Sequence, residues 1–364
     1  MNGLIACYVF AWIGFCSAKD LLNLCKLNED TYGTWNVTST VNLREARPYF
    51  VNGNYGEAVQ FHKMWFPHNC SYHRFTQASL QAVATHLVAN GKVNAENGTL
   101  RLQFVGDSAT RGIMCGIVRI LSGSEMFGPS DNELCGYPAK PIPPSFESEN
   151  KVFDITIGNI TISLIYIKTM ESEATTQTLE ASIAKKPYAV ILNTGAWSFW
   201  GFPIKPSPTG QRLPGAECDS PIYQRGRNSR LQESSKAAYA RAGQLGHDLR
   251  VKMIYRTNHY NVRYGVNCAD GDLLPILTER KWHIWDNTRV SKDVWAAQTY
   301  DGFHFDRTLI HTQEEHLLHI QQAVHTHVEL PGMLEMQFAQ SLLHYLFRDT
   351  IQEFITKGID LPIE

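Results

Sequence analysis

The sequence has 364 residues, of which 43% are hydrophobic and 11% aromatic, enough for two average domains or for one large α/β domain with an additional segment. This composition excludes a disordered tail, a collagen-like fibre and a coiled coil, because the chain carries enough apolar side chains to bury a sizeable core. With 33 basic and 35 acidic residues, a formal charge of -2 and no basic block, the chain lacks the electrostatic signature of proteins that bind nucleic acid or anionic membranes.

An apolar run from Leu4 to Cys16 opens the sequence, and the small residues Ser17 and Ala18 follow it. The run is shorter than the roughly 20 residues that a transmembrane helix needs, and the small residues are typical of a signal-peptide cleavage site. We therefore expect residues 1–18 to be a signal peptide, and the mature chain to be secreted or to reside in the ER or Golgi lumen, without a membrane span. An uncleaved anchor is the alternative, because no Lys or Arg precedes the apolar run.

Cysteines and glycosylation sequons agree with that compartment. Six cysteines follow the signal segment, namely Cys25, Cys70, Cys115, Cys135, Cys218 and Cys268. An even set is typical of disulfide-bonded secreted chains, and six cysteines allow fifteen pairings. Our working prediction among them joins neighbours: Cys25 with Cys70, Cys115 with Cys135, and Cys218 with Cys268. Four sequons, at Asn36, Asn69, Asn97 and Asn159, predict glycosylated surface loops.

The pattern of the chain changes near residue 96. Residues 19–95 are rich in Asn, Tyr, His and Gly and lack a long period, which predicts an irregular lead-in segment tied by disulfides. In residues 96–364, runs rich in Ile, Val and Leu alternate with helical spacing, and this predicts one α/β domain built as a three-layer α/β/α sandwich with a parallel sheet. The predicted strands are Leu100–Val105, Ile160–Ile167, Tyr188–Leu192 and Val251–Tyr255; the predicted helices are Ala109–Leu121, Thr175–Lys185, Leu231–Leu249, Ile310–Val324 and Met336–Ile355. Residues 201–230, rich in Pro and Gly, predict a long loop on the substrate side.

Ser108 is the main candidate for chemistry, because its Gly-Asp-Ser motif joins a predicted strand to a predicted helix. Active sites of open parallel sheets lie at the carboxyl ends of the strands. A serine becomes a strong nucleophile when a histidine accepts its proton and an acid orients that histidine, and Asp301 and His304 near the end of the chain supply such a pair. Asn193 and Gly195 follow another predicted strand and are candidate donors to an oxyanion.

Three sequence blocks together resemble the PC-esterase group of SGNH/GDSL-type hydrolases, which includes the plant trichome-birefringence-like polysaccharide O-acetyltransferases. The blocks are Gly106-Asp107-Ser108 with Arg111, Asn193-Thr194-Gly195-Ala196-Trp197, and Asp301-Gly302-Phe303-His304. The resemblance covers roughly Cys70 to Asp306 and implies a flavodoxin-like α/β/α fold, no metal or other cofactor, and an acyl group on a glycan as substrate. It implies Ser108 as nucleophile, His304 as base, Asp301 as orienting acid and Asn193 as oxyanion donor. The middle block departs from the Gly-x-Asn-Asp of many bacterial relatives. Because of this departure, the resemblance identifies the acyl acceptor less well than it identifies the triad.

Several assignments stay open at this stage. Asp306 competes with Asp301 as the orienting acid, while Arg111, Arg256 and His259 are candidates for substrate binding. The acyl acceptor is water in a hydrolase and a sugar hydroxyl in a transferase, and the sequence favours neither. A secreted binding glycoprotein that keeps the fold without turnover is the alternative function. Residues 311–327 hold several histidines without the His-Glu-x-x-His spacing, so we predict a solvated helix face there and no metal site.

Overall fold

The computed structural model describes residues 23–42, 58–71, 73–93, 98–123, 150, 152–167, 169–194, 233–258, 268–292 and 333–362. The strands in these ranges are β1 (Gly33–Asn42), β2 (Ala58–Pro67), β3 (Leu100–Gly106), β4 (Val152–Ile157), β5 (Ile160–Tyr166), β6 (Ala189–Asn193), β7 (Lys252–Arg256) and β8 (His283–Trp285). The helices are α1 (Gln77–Ala89), α2 (Ser108–Leu121), α3 (Glu173–Ala184), α4 (Glu233–Leu249), α5 (Cys268–Glu279), α6 (Thr288–Lys292) and α7 (Met333–Lys357). No helix in these ranges is both long enough and apolar enough to cross a membrane.

The main sheet has six strands in the order β4-β5-β3-β6-β7-β8. The strands from β5 to β8 are parallel to one another, and the edge strand β4 pairs antiparallel with β5. After β3 the chain adds β4 and β5 on one side of it and then β6, β7 and β8 on the other. The order β5-β3-β6-β7-β8 is therefore the 2-1-3-4-5 order of doubly wound sheets, whose topological switch point lies between β3 and β6. The predicted α/β class is confirmed, and the sheet, which was predicted to be parallel, is parallel except at its edge strand β4.

The sheet packs against helices through two hydrophobic clusters. Phe104, Ile191 and Ile254 belong to one cluster, together with buried residues of α1, α2 and α7. The neighbouring residues Val105, Leu192 and Tyr255 belong to the other cluster, together with residues of α3, α4 and α5. Successive side chains of a strand point to opposite faces, so the alternation between the clusters explains why each of these strands has consecutive apolar residues at this level of the sheet.

The amino-terminal segment differs from the irregular lead-in expected for residues 19–95. It contains an antiparallel ribbon of β1 and β2, and the 13-residue helix α1, which begins with reciprocal hydrogen bonds between Thr76 and Ser79. Its side chains Leu24, Trp65 and Phe75 are buried in the same cluster as α2 and α7. The segment is therefore packed onto the sheet domain and shares its core.

A disulfide and an edge contact hold this segment in place. The predicted bridge between Cys25 and Cys70 is confirmed, with an S–S distance of 2.07 Å. Asn28 has a left-handed backbone with φ of 68°, and its side-chain amide donates to the carbonyl of Ile284 and accepts from the N–H of Asp286, both at 2.8 Å. This amide pairs with the edge strand β8 as a neighbouring strand would, which satisfies backbone groups at an open sheet edge.

Other predictions on cysteines and sequons are only partly covered by the described residues. Cys115 in α2 is buried and disulfide-bonded, while its predicted partner Cys135 lies outside these residues, as does Cys218, the predicted partner of Cys268. The signal peptide over residues 1–18 and the sequon at Asn97 also lie outside them. Of the remaining sequons, Asn36 lies in β1, Asn69 is exposed after β2, and Asn159 occupies the turn between β4 and β5.

Candidate active site

The site is built at the carboxyl ends of β3, β6 and β7, beside the topological switch point, where doubly wound sheets generally bind their ligands. Gly106 at the end of β3 pairs in register with Asn193 at the end of β6. On β7 the register continues one strand further, with Leu192 beside Tyr255, so Arg256 follows next to Asn193. Three strand ends from distant parts of the sequence are thus brought side by side.

The Gly-Asp-Ser motif forms a tight strand-to-helix turn at the end of β3. A Cβ atom at Gly106 would lie 2.1 Å from the carbonyl oxygen of Asn193 and 2.4 Å from Oγ1 of Thr110, so only glycine fits between β6 and α2. Asp107 is fully buried, and its Oδ1 accepts from the N–H of Ala109 at 3.1 Å as the N-cap of α2. Ser108 is the first residue of α2; the structure describes its backbone position only. The candidate nucleophile therefore stands at the positive end of a 14-residue helix.

A closed hydrogen-bond network joins α2, β6 and β7 behind this turn. The guanidinium Nη2 of Arg256 donates to Oδ1 of Asn193 at 2.9 Å and to Oγ1 of Thr110 at 3.3 Å. In return, Nδ2 of Asn193 donates to the backbone carbonyl of Arg256 at 2.6 Å. The Thr110 hydroxyl completes the network by donating to the backbone carbonyl of Asn193 at 3.4 Å. All three side chains have no solvent exposure, so this network belongs to the interior of the protein.

The charge of Arg256 is balanced from several directions. Burial lowers the pKa of this guanidinium, and the carboxylates of Asp107, Asp270 and Glu335 oppose the lowering. A buried cation costs several kcal/mol unless anions and hydrogen-bond acceptors compensate it. The three acids come from the β3 turn, from α5 and from α7, so three separate elements of the fold contribute the compensating negative charge.

A second buried carboxylate lies on the other face of the same strand end. Asp270, in the first turn of α5, accepts from the hydroxyl of Tyr255 at 2.6 Å, from the backbone N–H of Asn258 at 3.0 Å and from Nδ2 of Asn258 at 2.8 Å. Burial raises the pKa of Asp270 to about 6, although these donors and Arg256 favour its charged form. This carboxylate fixes the loop that leaves β7 toward residue 259.

The structure describes some of the predicted site residues and not others. Asn193 and Arg256 lie together at the ends of β6 and β7, and Arg111 is buried, with 4% exposure, one turn into α2. Arg256 was expected to face substrate in the cleft, whereas its guanidinium is buried and bonded to Asn193 and Thr110. Gly195, His259, Asp301 and His304 lie outside the described residues, as do Asp306, the loop 201–230 and the histidine-rich stretch 311–327.

Sequence reasoning missed Thr110 and Asp270 as parts of this site. Thr110 lies two residues after Ser108, and a hydroxyl on the first turn of the helix was the signal available for it. Asp270 gave no signal, because its partners Tyr255 and Asn258 precede it by more than ten residues and only the fold brings them together. Among the described residues, no group of three or more His, Cys, Asp or Glu side chains is placed to hold a metal ion.

No protein-family model and no curated protein matches this sequence.

Proposed function

We propose that this chain is a serine acyl esterase or O-acyltransferase of the secretory pathway that acts on acyl groups carried by glycans. The observation that carries the proposal is the placement of Ser108 at the start of α2, at the switch point of the sheet and one strand away from the amide of Asn193. We also propose that the helices form two layers on opposite faces of the sheet, giving a three-layer α/β/α sandwich, because two separate hydrophobic clusters divide the helices between them.

In the proposed reaction Oγ of Ser108 attacks the ester carbonyl while His304 accepts the serine proton, and Asp301 holds the imidazole in the required tautomer. The carbonyl oxygen becomes an oxyanion that receives hydrogen bonds from the Asn193 amide and from the backbone N–H groups of Ser108 and Gly195. The C–O bond to the leaving alcohol breaks, and the alcohol takes the proton from His304. Water or a sugar hydroxyl then gives its proton to His304 and attacks the acyl-enzyme. The bond from the acyl carbon to Oγ of Ser108 breaks, and His304 returns the proton to this oxygen.

An oxyanion role for Asn193 requires one hydrogen of its amide nitrogen to lie outside the contacts with Arg256. An amide nitrogen carries two hydrogens, and the carbonyl of Arg256 receives one of them. The proposal assigns the second to the oxyanion. The helix also contributes, because the N–H groups of its first turn and its dipole favour negative charge beside Ser108.

Labelling by a fluorophosphonate tests the nucleophile directly, because this probe reacts with activated serines. We expect a single labelled peptide that contains Ser108, no labelling in Ser108→Ala, and loss of aryl-acetate hydrolysis in the same variant at an unchanged melting temperature. Labelling of another serine, or turnover that persists in Ser108→Ala, would contradict the triad. A folded chain without any labelling would instead favour the binding glycoprotein.

Two further comparisons refine the mechanism. Asp301→Asn is expected to lower kcat by orders of magnitude, as the loss of the orienting anion does in other serine triads, and Asp306→Asn is its matched control. Release of free acetate and transfer of acetate to an added glycan are then measured in the same reaction. Their ratio separates a hydrolase from a transferase.

A further inference from the structure

Arg256 is a fully buried cation whose hydrogen bonds go to the candidate site and not to solvent. Its Nη2 contacts Asn193 and Thr110, and its Nη1 donates to the carbonyl of Thr257 at 3.3 Å. A buried ion network adds little to stability compared with apolar packing of the same volume, because desolvation offsets the Coulomb attraction. These bonds reach Thr110, two residues after Ser108, and Asn193, one strand away from the Ser108 turn. We therefore ask what they do for the site.

The contacts with Arg256 fix which way the Asn193 amide faces. A guanidinium only donates hydrogen bonds and a backbone carbonyl only accepts them. Oδ1 of Asn193 lies 2.9 Å from Nη2, and Nδ2 lies 2.6 Å from the carbonyl of the same arginine. If the amide flipped, a donor would face a donor and an acceptor would face an acceptor. Arg256 thus permits one orientation of the amide and excludes the other.

Thr110 connects this pair to the helix that begins at Ser108. Its hydroxyl accepts from Arg256 and donates to the backbone carbonyl of Asn193. The first turn of α2 is consequently tied by side chains to the ends of both β6 and β7. The same turn packs so tightly against β6 that Gly106 has no room for a side chain.

We propose that Arg256 is a positioning residue that, together with Thr110, holds the Asn193 amide with its nitrogen available to an oxyanion formed at Ser108. This inference rests on the proposed function. Because an oxyanion exists in the transition state and not in the bound substrate, misorientation of the amide lowers kcat and leaves KM unchanged. A purely structural network would change the melting temperature and leave the kcat of the folded molecules unchanged.

Thr110→Val tests the network with the smallest change, because valine keeps the shape of threonine and removes the hydroxyl. Thr110→Ser keeps the hydroxyl, and Arg256→Lys keeps the charge but loses the planar pair of donors. Ser182→Ala is the matched control: Ser182 also donates a buried hydrogen bond, to Gln103 at 2.5 Å, but it lies on α3, and this bond goes to β3 and not to the side chains that Arg256 contacts. The readouts are the melting temperature, kcat and KM for an aryl acetate, and the rate of fluorophosphonate labelling of Ser108 per folded molecule.

We expect Thr110→Val to lower kcat and the labelling rate about tenfold and Arg256→Lys about a hundredfold, which is at or below the 10²–10³ loss typical of a deleted oxyanion donor. KM should stay within about twofold in both, since ground-state binding is not affected. Thr110→Ser should recover most of the lost kcat, and Ser182→Ala should lower only the melting temperature. Unchanged kcat and labelling in folded Thr110→Val and Arg256→Lys would overturn the inference while the proposed function stands. A wild-type chain that is not labelled would overturn both.

Discussion

His344 on α7 makes the stability of this protein fall as the pH is lowered, because its pKa is lower in the folded protein than in the unfolded chain. Its Nδ1 accepts from the backbone N–H of His73 at 3.0 Å, so its Nε2 carries the proton and donates to the carbonyl of Cys25 at 3.1 Å. Burial lowers the pKa of His344 from 6.5 to about 4. A proton added at Nδ1 would also face the N–H of His73, so the folded protein holds this imidazole neutral.

The unfolded chain therefore takes up a proton at a higher pH than the folded protein does. Stability contributed by neutral His344 is complete at high pH, begins to fall as the pH drops through 6.5, and is fully lost below about 4. The difference between these two pKa values corresponds to about 3 kcal/mol at the acid limit, and about 2 kcal/mol of it is lost between pH 7 and pH 5.

The comparison of wild type with His344→Asn tests this effect together with the coupling of His344 to His73, whose pKa burial also lowers to about 4. Asparagine supplies an acceptor near Nδ1 and does not titrate. Urea unfolding at pH 7 and pH 5 should show that the advantage of wild type over the variant shrinks by about 2 kcal/mol at the lower pH. Other groups titrate in this range; the raised pKa of Asp270 acts in the opposite direction, because its folded form binds the proton first. The difference between the two proteins removes that contribution, and a gap that does not change with pH would refute the reasoning.

Three further changes test the scaffold around the site. Replacing Cys25 and Cys70 together by alanine opens a loop with a sequence separation of 45, and chain entropy predicts a loss of about 4 kcal/mol in the free energy of unfolding; a loss below about 1 kcal/mol would contradict this. Gly106→Ala should cost at least about 2 kcal/mol by overpacking and should slow labelling of Ser108, since the new Cβ displaces the carbonyl of Asn193. Asn28→Gly keeps the left-handed backbone and removes both hydrogen bonds to β8, for an expected loss of about 2 kcal/mol in urea unfolding; equal stability would show that these bonds contribute nothing.

The strands around the site were predictable because β6 and β7 contain short apolar runs, and β3 alternates apolar with polar residues before Phe104 and Val105. The prediction for β3 ended one residue early, at Val105, and the predictions for β6 and β7 each began one residue early. Helix α2 was predictable for a local reason as well, since Asp107 caps the backbone N–H groups that no earlier turn satisfies.

Other elements gave too little local signal. Strand β8 has only three residues, too few to show a period. Helix α5 contains Pro275, which argues against a helix when only the sequence is read. Helix α1 begins with a capping box in which Ser79 takes the place of the usual Glu or Gln at the third position. The residues around this helix are mostly polar, so its apolar face gave a weak periodic signal.

The misjudged role of Arg256 follows from strand geometry that the sequence alone does not reveal. Asn193 lies two residues after Ile191, and Arg256 two residues after Ile254; both isoleucines pack in the cluster shared with α2 and α7. Side chains two apart share a face, so the amide and the guanidinium both point under α2 and meet there. Tyr255 points to the opposite face and bonds Asp270 of α5.

Consecutive residues of β7 thus face opposite sides of the sheet. The guanidinium of Arg256 lies on one face, and the hydroxyl of Tyr255 binds the carboxylate of Asp270 on the other. The amide and the guanidinium meet because the register of β6 and β7 places Ile191 beside Ile254. That register is set by the packing of strands about 60 residues apart, whereas a hydrophobic pattern specifies only which positions are buried. A buried Asn and a buried Arg each need a specific partner, and the choice of partner is made by the fold.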